Sequence, residues 1–310
     1  MQQLNETQSQ MSKPRRPLPV VSVIMSMHNS ASTVRTAVRS ILMQSLNDWE
    51  LIVIDDGSSD RSAAIIEEFH DERIRLFRES SSAGLASRLN QAVALSRGEF
   101  IARMDADDIC FPERLSRQVE RLREDQQLDL LGCGVVVFRS GGELVGEMPV
   151  GLDHTEVVAQ PFIGFPFPHP SWCGRADWFR KNPYDSKLRV AQDQDLLLRS
   201  FRHSKLGSLD VVLLAYRQDR LTLKKMLTGR ATFVRAAWRD GIAKRELSPA
   251  LTGIAVQAAK GIVDVVTLGL GFNRPMQRSR LGPVSPVVAK KWQRIREDLA
   301  ASSCYLAERA

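Results

Sequence analysis

The chain has 310 residues, enough for one large domain or a domain with a smaller annex, and its 43% hydrophobic and 25% charged residues match a soluble globular protein. That balance excludes a disordered, collagenous or polytopic membrane chain. The formal charge of +7 is unevenly spread: residues 1–217 carry 26 basic and 29 acidic groups, a net −3, whereas residues 218–310 carry 17 basic and 7 acidic, a net +10. Such a basic C-terminal third either faces an anionic partner, phospholipid or nucleic acid, or is a solvated face. Cys110, Cys133, Cys173 and Cys304 lie far apart without a CxxC pair, so neither a zinc ribbon nor a disulfide framework is expected, and a reducing compartment fits. The opening MQQLNETQSQMSKPRRPLP is polar where a secretory signal needs an apolar core, which predicts a cytoplasmic protein with a flexible tail over residues 1–18.

Through residue 217, short apolar runs rich in β-branched residues alternate with segments of helical period, the pattern of an α/β domain with a mostly parallel sheet flanked by helices. Residues 20–27 read as a strand. Val34, Ala37, Val38, Ile41 and Leu42 then recur on one helical face, and a second strand spans residues 51–54. Ser58, Ser59 and Asp60 offer N-caps for a helix reaching Phe69, followed by a strand over residues 74–77. Gly84 opens a helix carrying Leu85, Leu89 and Val93, Gly98 suits its end, and residues 100–104 form a fourth strand. Pro112 is tolerated in a first turn, Leu115, Val119 and Leu122 mark the next helix, and residues 128–138 read as a buried strand leading to the Ser140-Gly141-Gly142 turn. The stretch 151–170 is loop-rich, interrupted by four prolines, and loops of this kind commonly hold binding sites.

Beyond Tyr216 the strand signal fades into helices with Gly and Pro breaks around 269–286, which places a domain boundary near residue 217. Residues 254–272 come closest to a membrane span, but Lys260 and Asp264 interrupt a stretch barely long enough to cross a bilayer. With basic residues on both flanks it suits an interfacial helix on anionic lipid, and a plain core helix fits equally well.

In open parallel sheets ligands bind beyond the carboxyl ends of the strands. Asp55 and Asp56 end the second strand, Asp105, Asp107 and Asp108 end the fourth, and Asp193 and Asp195 open a leucine-rich helix. Asp-Asp-Gly is by itself a common turn, and acidic strand ends also cap helices. Five carboxylates after two strands of one sheet, however, repel one another without a cation or hydrogen-bonding ligand, and Asp105 and Asp107 can converge on one hard divalent ion, Mg²⁺ or Mn²⁺.

Over residues 19–217 these features resemble the family 2 glycosyltransferases, which have the GT-A fold. The match rests on Val21-Ser-Val-Ile-Met-Ser-Met-His-Asn29, Ile54-Asp-Asp-Gly-Ser-Ser-Asp60 and Arg103-Met-Asp-Ala-Asp-Asp108, in order. Pro112-Glu-Arg-Leu115 with Gln118, His169-Pro-Ser171, Tyr184-Asp185 and Ala191-Gln-Asp-Gln-Asp-Leu-Leu-Leu-Arg199 resemble the bacterial surface-polysaccharide branch. The resemblance implies that Asp56 bonds the nucleotide base beside His28 and Asn29. It implies that Asp105 contacts ribose or a metal-bound water, that Asp107 and Asp108 ligate the metal with Asp105, and that Asp193 is the catalytic base. Arg88 and Arg103 are candidates for the diphosphate, and His169 for shaping the acceptor pocket. Gln192 stands where the family has glutamate, and His28 where it usually has tyrosine.

The expected activity is metal-dependent, inverting transfer from a nucleotide-sugar, a UDP-sugar, to a hydroxyl of a saccharide or lipid-linked saccharide. The basic helical segment 218–310 would hold the enzyme peripherally at an anionic membrane surface, the cytoplasmic face of the inner membrane. The rival reading is a catalytically idle nucleotide-binding scaffold of a polysaccharide assembly complex. A nucleotidyltransferase is disfavoured because no Gly-rich, basic triphosphate loop follows the first strand, and nucleic acid is not an expected partner because the +10 segment has few aromatics for stacking.

Overall fold

The computed structural model describes residues 18–219, 222–269 and 281–307. The expected N-terminal tail, but for Leu18, and much of the Gly/Pro-broken stretch near 269–286 lie outside them. One nine-stranded sheet organises the chain, in the order β3-β2-β1-β4-β8-β6-β9-β5 with β7 beside β6. The strands are β1 (Val21–Met27), β2 (Trp49–Asp55), β3 (Ile74–Arg78), β4 (Phe100–Arg103), β5 (Ile109–Cys110), β6 (Leu130–Phe138), β7 (Leu144–Glu147), β8 (Cys173–Arg175) and β9 (Leu206–Arg217). Six of them, β1, β2, β3, β4, β6 and β9, run one way and the short β5, β7 and β8 run the other, so the sheet is mostly parallel as expected.

Helices cover both faces, which explains why β1, β2 and β6 read as nearly continuous apolar runs. Alternation along the strands divides the core in two. Val21, Val23, Met25 and Met27 of β1, with Leu51 and Val53 of β2, join one layer. Ile24, Ile52 and Ile54 point to the other. The first layer receives α1 (Val34–Leu42), α2 (Ser62–Glu67) and α4 (Arg114–Glu124), and the second receives α3 (Leu85–Leu95), α6 (Ala176–Lys181) and α7 (Gln192–Ser200). A short α5 (His154–Val157) lies against β9. Cys110, Cys133 and Cys173 are buried free thiols.

Among the described residues three C-terminal helices complete the molecule: α8 (Leu223–Lys244), α9 (Leu247–Gly269) and α10 (Pro286–Ala307). They pack on both core layers. Ala236, Ala237 and Ala250 enter the second, and Val288, Trp292, Ile295 and Leu299 of α10 enter the first, where Trp292 meets Phe138 at 4.7 Å between ring centroids. α9 folds back along α8, and Asp264, wholly buried, pairs with Arg230 (2.6 Å), whose guanidinium also reaches Gln257 (2.6 Å). Leu247–Thr267 is by length and composition apolar enough to cross a bilayer, yet this ion pair commits one of its faces to α8. One face of this helix is therefore packed inside the protein, as the core reading expects, while Ile262, Val263, Val265 and Val266 are exposed.

Register carries the strand ends to one edge: Met27 pairs with Asp55 across β1 and β2, and Ile24 with Arg103 across β1 and β4. Arg114 braces that edge from below. Wholly buried, it donates from Nη2 to the carbonyls of Arg103 (2.7 Å) and Pro170 (2.9 Å), while Gln118 donates to the carbonyl of Ser171 (2.8 Å). Replacing Arg114 by Leu strands two buried carbonyls, so chemical denaturation should show a loss of roughly 2–6 kcal/mol, from about 1–3 for each. A loss below 1 kcal/mol, roughly what a single exposed contact is worth, would show that these bonds do not brace the edge.

Candidate active site

The loop after β1 begins with His28, whose Nδ1–H donates to the carbonyl of Asp56 (2.9 Å), leaving Nε2 to accept from Asn29 Nδ2 (3.2 Å). Asn29 takes a left-handed conformation (φ 51°), and its side-chain oxygen accepts from the Ser59 amide (2.9 Å). These bonds tie the end of β1 to the turn after β2. His28 and Asn29 stay exposed beside it.

Asp56 is buried and turned inward. Its carboxylate accepts from Ser82 Oγ (2.7 Å), the amides of Ala83 (2.7 Å) and Gly84 (2.9 Å), and Arg88 Nε (2.6 Å). Burial raises its pKa, but the hydrogen bonds from Ser82, Arg88 and the two amides outweigh that and hold the carboxyl below its usual value. Arg88 is committed internally too, donating from Nη2 to the carbonyl of Ser81 (2.7 Å) and pairing with Glu79 (3.3 Å). It therefore holds Asp56 and the loop 81–84 in place from within. Gly84 is required there: its φ is +88°, and a Cβ would lie 2.3 Å from Arg189 Nη1.

At the end of β4 the ligand oxygens of Asp105, Asp107 and Asp108 lie within 4.8 Å of one another. Asp108 is wholly buried. Its Oδ1 accepts from the Arg217 amide (2.9 Å), and its Oδ2 has no partner among the described residues. Burial and the neighbouring Asp105 charge push the carboxyls of both Asp107 and Asp108 upward, that of Asp108 far. Arg103, also buried, pairs with Asp105, while Arg217 at the end of β9 donates to the carbonyl of Asp107 (2.9 Å). An orphaned buried oxygen within an all-carboxylate set suits a hard divalent cation, and these residues fit one.

Asp193 comes from the opposite wall, in the first turn of α7. Ala191 before it is left-handed (φ 55°), a conformation that costs a non-glycine residue about 1–3 kcal/mol and is kept only where the surroundings enforce it. Burial raises the Asp193 carboxyl above its usual value, against the amide of Gln194. The wall is fixed behind it by Asp195, almost fully buried and paired with Arg199 (2.9 Å) and with Arg239 of α8. Asp105 and Asp193 line the same cavity of about 450 Å³, together with Arg103, His169 and Gln192. His169 donates to or accepts from Tyr184 Oη (2.8 Å), and burial plus the Arg103 charge depress its pKa, so it lines the cavity as a neutral ring. Arg189 and Lys225 also line the cavity. Neither stands in a motif of the sequence, and only the fold brings them to it.

Residues 22–181 match the family described as Glycosyl transferase family 2. The chain belongs to that family, and it is a glycosyltransferase. It is 33% identical over 214 residues to the "Putative glycosyltransferase EpsE" of Bacillus subtilis, covering 67% of this chain and 76% of that protein. It is 37% identical over 147 residues to the "UDP-Glc:alpha-D-GlcNAc-diphosphoundecaprenol beta-1,3-glucosyltransferase WfgD" of Escherichia coli, covering 47% of this chain and 57% of that one. Among solved structures, S. aureus TarS 1-349 in complex with UDP-GlcNAc superposes with a TM-score of 0.58 at 16% identity, covering 90% of this chain and 80% of that one. The expected GT-A fold is thereby established.

The Arg88 latch makes a local prediction. Arg88→Ala removes a charge-assisted hydrogen bond worth about 1.5–3 kcal/mol, so hydrogen-exchange protection of the Ala83 and Gly84 amides should fall roughly 10- to 100-fold. Unchanged protection would show that Asp56 and the loop 81–84 hold without it.

Proposed function

We propose that the protein is an inverting, divalent-cation-dependent transferase that moves a sugar from a UDP-sugar to a hydroxyl of a lipid-linked saccharide in surface-polysaccharide synthesis. The observation that carries this reading is the shared cavity: the carboxylate cluster reaches it through Asp105, and Asp193 faces it from the other side. The relative whose name includes a UDP-sugar and a diphosphoundecaprenol acceptor supports the donor and acceptor classes.

Asp193 takes the proton of the acceptor hydroxyl as that oxygen bonds to the anomeric carbon. The bond from this carbon to the diphosphate oxygen breaks in the same displacement, its electron pair leaving with UDP, so the configuration inverts. Asp105, Asp107 and Asp108 would hold Mn²⁺ or Mg²⁺, which supplies charge neutralisation on the departing diphosphate. Arg103 offers its Nε and Nη1 hydrogens, which have no partner among the described residues, to the donor. His28, Asn29 and Asp56 shape the nucleotide end. The raised pKa of Asp193, a consequence of its burial, makes its carboxylate a stronger base toward the acceptor's proton.

Residues 19–217 act as the transferase domain, and 218–310 seat it peripherally on the cytoplasmic face of the inner membrane. Trp238, Ile242, Leu247, Leu251, Ile262 and Val266 project apolar side chains from α8 and α9 on a segment of net charge +10.

Asp193→Asn keeps the shape and removes the base, so transfer should fall roughly 10²- to 10⁴-fold with UDP-sugar affinity little changed. Excess EDTA should stop wild-type turnover, and Mn²⁺ or Mg²⁺ should restore it. Because Asp193 works ionised and its pKa is raised, kcat should decline with falling pH above the ordinary aspartate range, near 3.8. Near-normal turnover of the variant, or an α-linked product from an α-linked donor, would overturn the mechanism.

Co-sedimentation with vesicles tests the membrane arm: the full chain should bind anionic vesicles, and binding should weaken as salt rises. Equal binding to neutral vesicles, or none to either, would remove it.

A further inference from the structure

On the side of α8 away from the catalytic cavity lies a second cavity of about 480 Å³, a groove between α8 and α9. Leu227, Ala231, Val234, Ile254, Ala258 and Ile262 give it apolar walls. Its one charged lining residue, Arg230, is neutralised by Asp264 and Gln257. The groove thus offers hydrocarbon surface with no unanswered charge. It opens onto the exposed side chains of Ile262, Val265 and Val266.

α8 is the wall shared by the two cavities. Lys225 and Gly229 line the catalytic cavity, whereas Leu227, Ala231 and Val234 line the groove, so helical spacing sets the two roughly one helix width, about 10 Å, apart. The first turn of α8 holds Lys224 and Lys225, no acidic residue, and an N-cap threonine whose side chain makes no capping bond. Cations at a helix N-terminus oppose its dipole, an arrangement that a bound anion relieves. Among the described residues Lys225 makes no ion pair. A second feature also points to a ligand: Gln192 Oε1, on a side chain more than nine-tenths buried, lines the same cavity beside Asp193 with no partner among the described residues.

We propose that this half of the molecule is a site for a polyprenyl diphosphate-linked saccharide, with its hydrocarbon chain in the α8–α9 groove, its diphosphate at Lys225 and the first turn of α8, and its sugar against Gln192. The inference rests on the lipid-linked acceptor reading above and locates that acceptor. Charge and polarity fit part by part: hydrocarbon meets apolar walls, phosphate meets a lysine with no ion pair among the described residues at a helix N-terminus without a side-chain cap, and a sugar hydroxyl meets an orphaned acceptor oxygen. It also gives the exposed apolar face of α9 a purpose, since a lipid drawn from a bilayer enters the groove from that side.

Calorimetry of the full chain with farnesyl diphosphate, farnesol and inorganic pyrophosphate, all in EDTA, tests the site. Farnesyl diphosphate should bind roughly tenfold or more tighter than pyrophosphate, since burying even two methylenes has that effect. Ala231→Trp and Ala258→Trp fill the groove from exposed positions. Both should lower farnesyl diphosphate affinity about tenfold or more while leaving pyrophosphate and UDP–Mn²⁺ affinity unchanged, which also reports that they fold. Lys225→Glu should weaken farnesyl diphosphate and spare farnesol. The proposal fails if wild type does not prefer farnesyl diphosphate, if the tryptophans have no effect, or if binding requires Mn²⁺ and vanishes in Asp107→Ala. It fails also if the tryptophans convert a dimer to a monomer, which would give the groove to a second copy. Any of these results alongside intact UDP-sugar turnover would remove the lipid site and leave the donor chemistry standing.

Discussion

Three carboxylates held within 4.8 Å at the end of one strand are the constraint on which the site depends. Burial first, and then the neighbouring Asp105 charge, disfavours ionisation here and shifts the carboxyls of Asp107 and Asp108 upward. Two arginines temper it: Arg103, the last residue of the same strand, and Arg217 at the end of β9, about a hundred residues on. Neither closes the valence of Asp108 Oδ2. In the proposed reading a divalent cation would do so and would also bind the diphosphate of the donor.

The remaining architecture holds that cluster across one cavity from Asp193. Parallel register brings the ends of β1, β2 and β4 together, and Arg114 clamps the carbonyl just before the cluster to the turn at residues 169–171. Opposite, left-handed Ala191 turns the chain into α7, and the Asp195–Arg239 pair anchors α7 to α8. The helices α8 and α9 are in this way joined to the wall that carries Asp193.

Local features of the sequence were legible. Apolar, β-branched runs located β1, β2, β4 and β6, because strands buried on both faces have no other composition available, and alternation located the edge strand β3. The acidic strand ends announced the cluster, since carboxylates cannot gather in a sheet crevice without function or partner. What the sequence concealed depends on pairs far apart in the chain. The short β5 and β8 are two and three residues long, recognisable only by their neighbours β9 and β4. Arg88, expected near the diphosphate, is held by Asp56 at a separation of 32 residues, and Lys225 reaches the cavity only because α8 packs on α7. The charge asymmetry was visible, but the division of α9 into an ion-paired face and an exposed apolar face required Arg230 opposite Asp264.

The most direct measurement is anomalous diffraction from crystals grown with UDP and Mn²⁺. The account predicts one Mn²⁺ peak between the carboxylates of Asp105, Asp107 and Asp108 and the diphosphate oxygens, at coordination distances of about 2.0–2.3 Å, with Asp193 across the cavity and uncoordinated. UDP bound with no peak at the cluster, or the ion held by Asp193 instead, would contradict it.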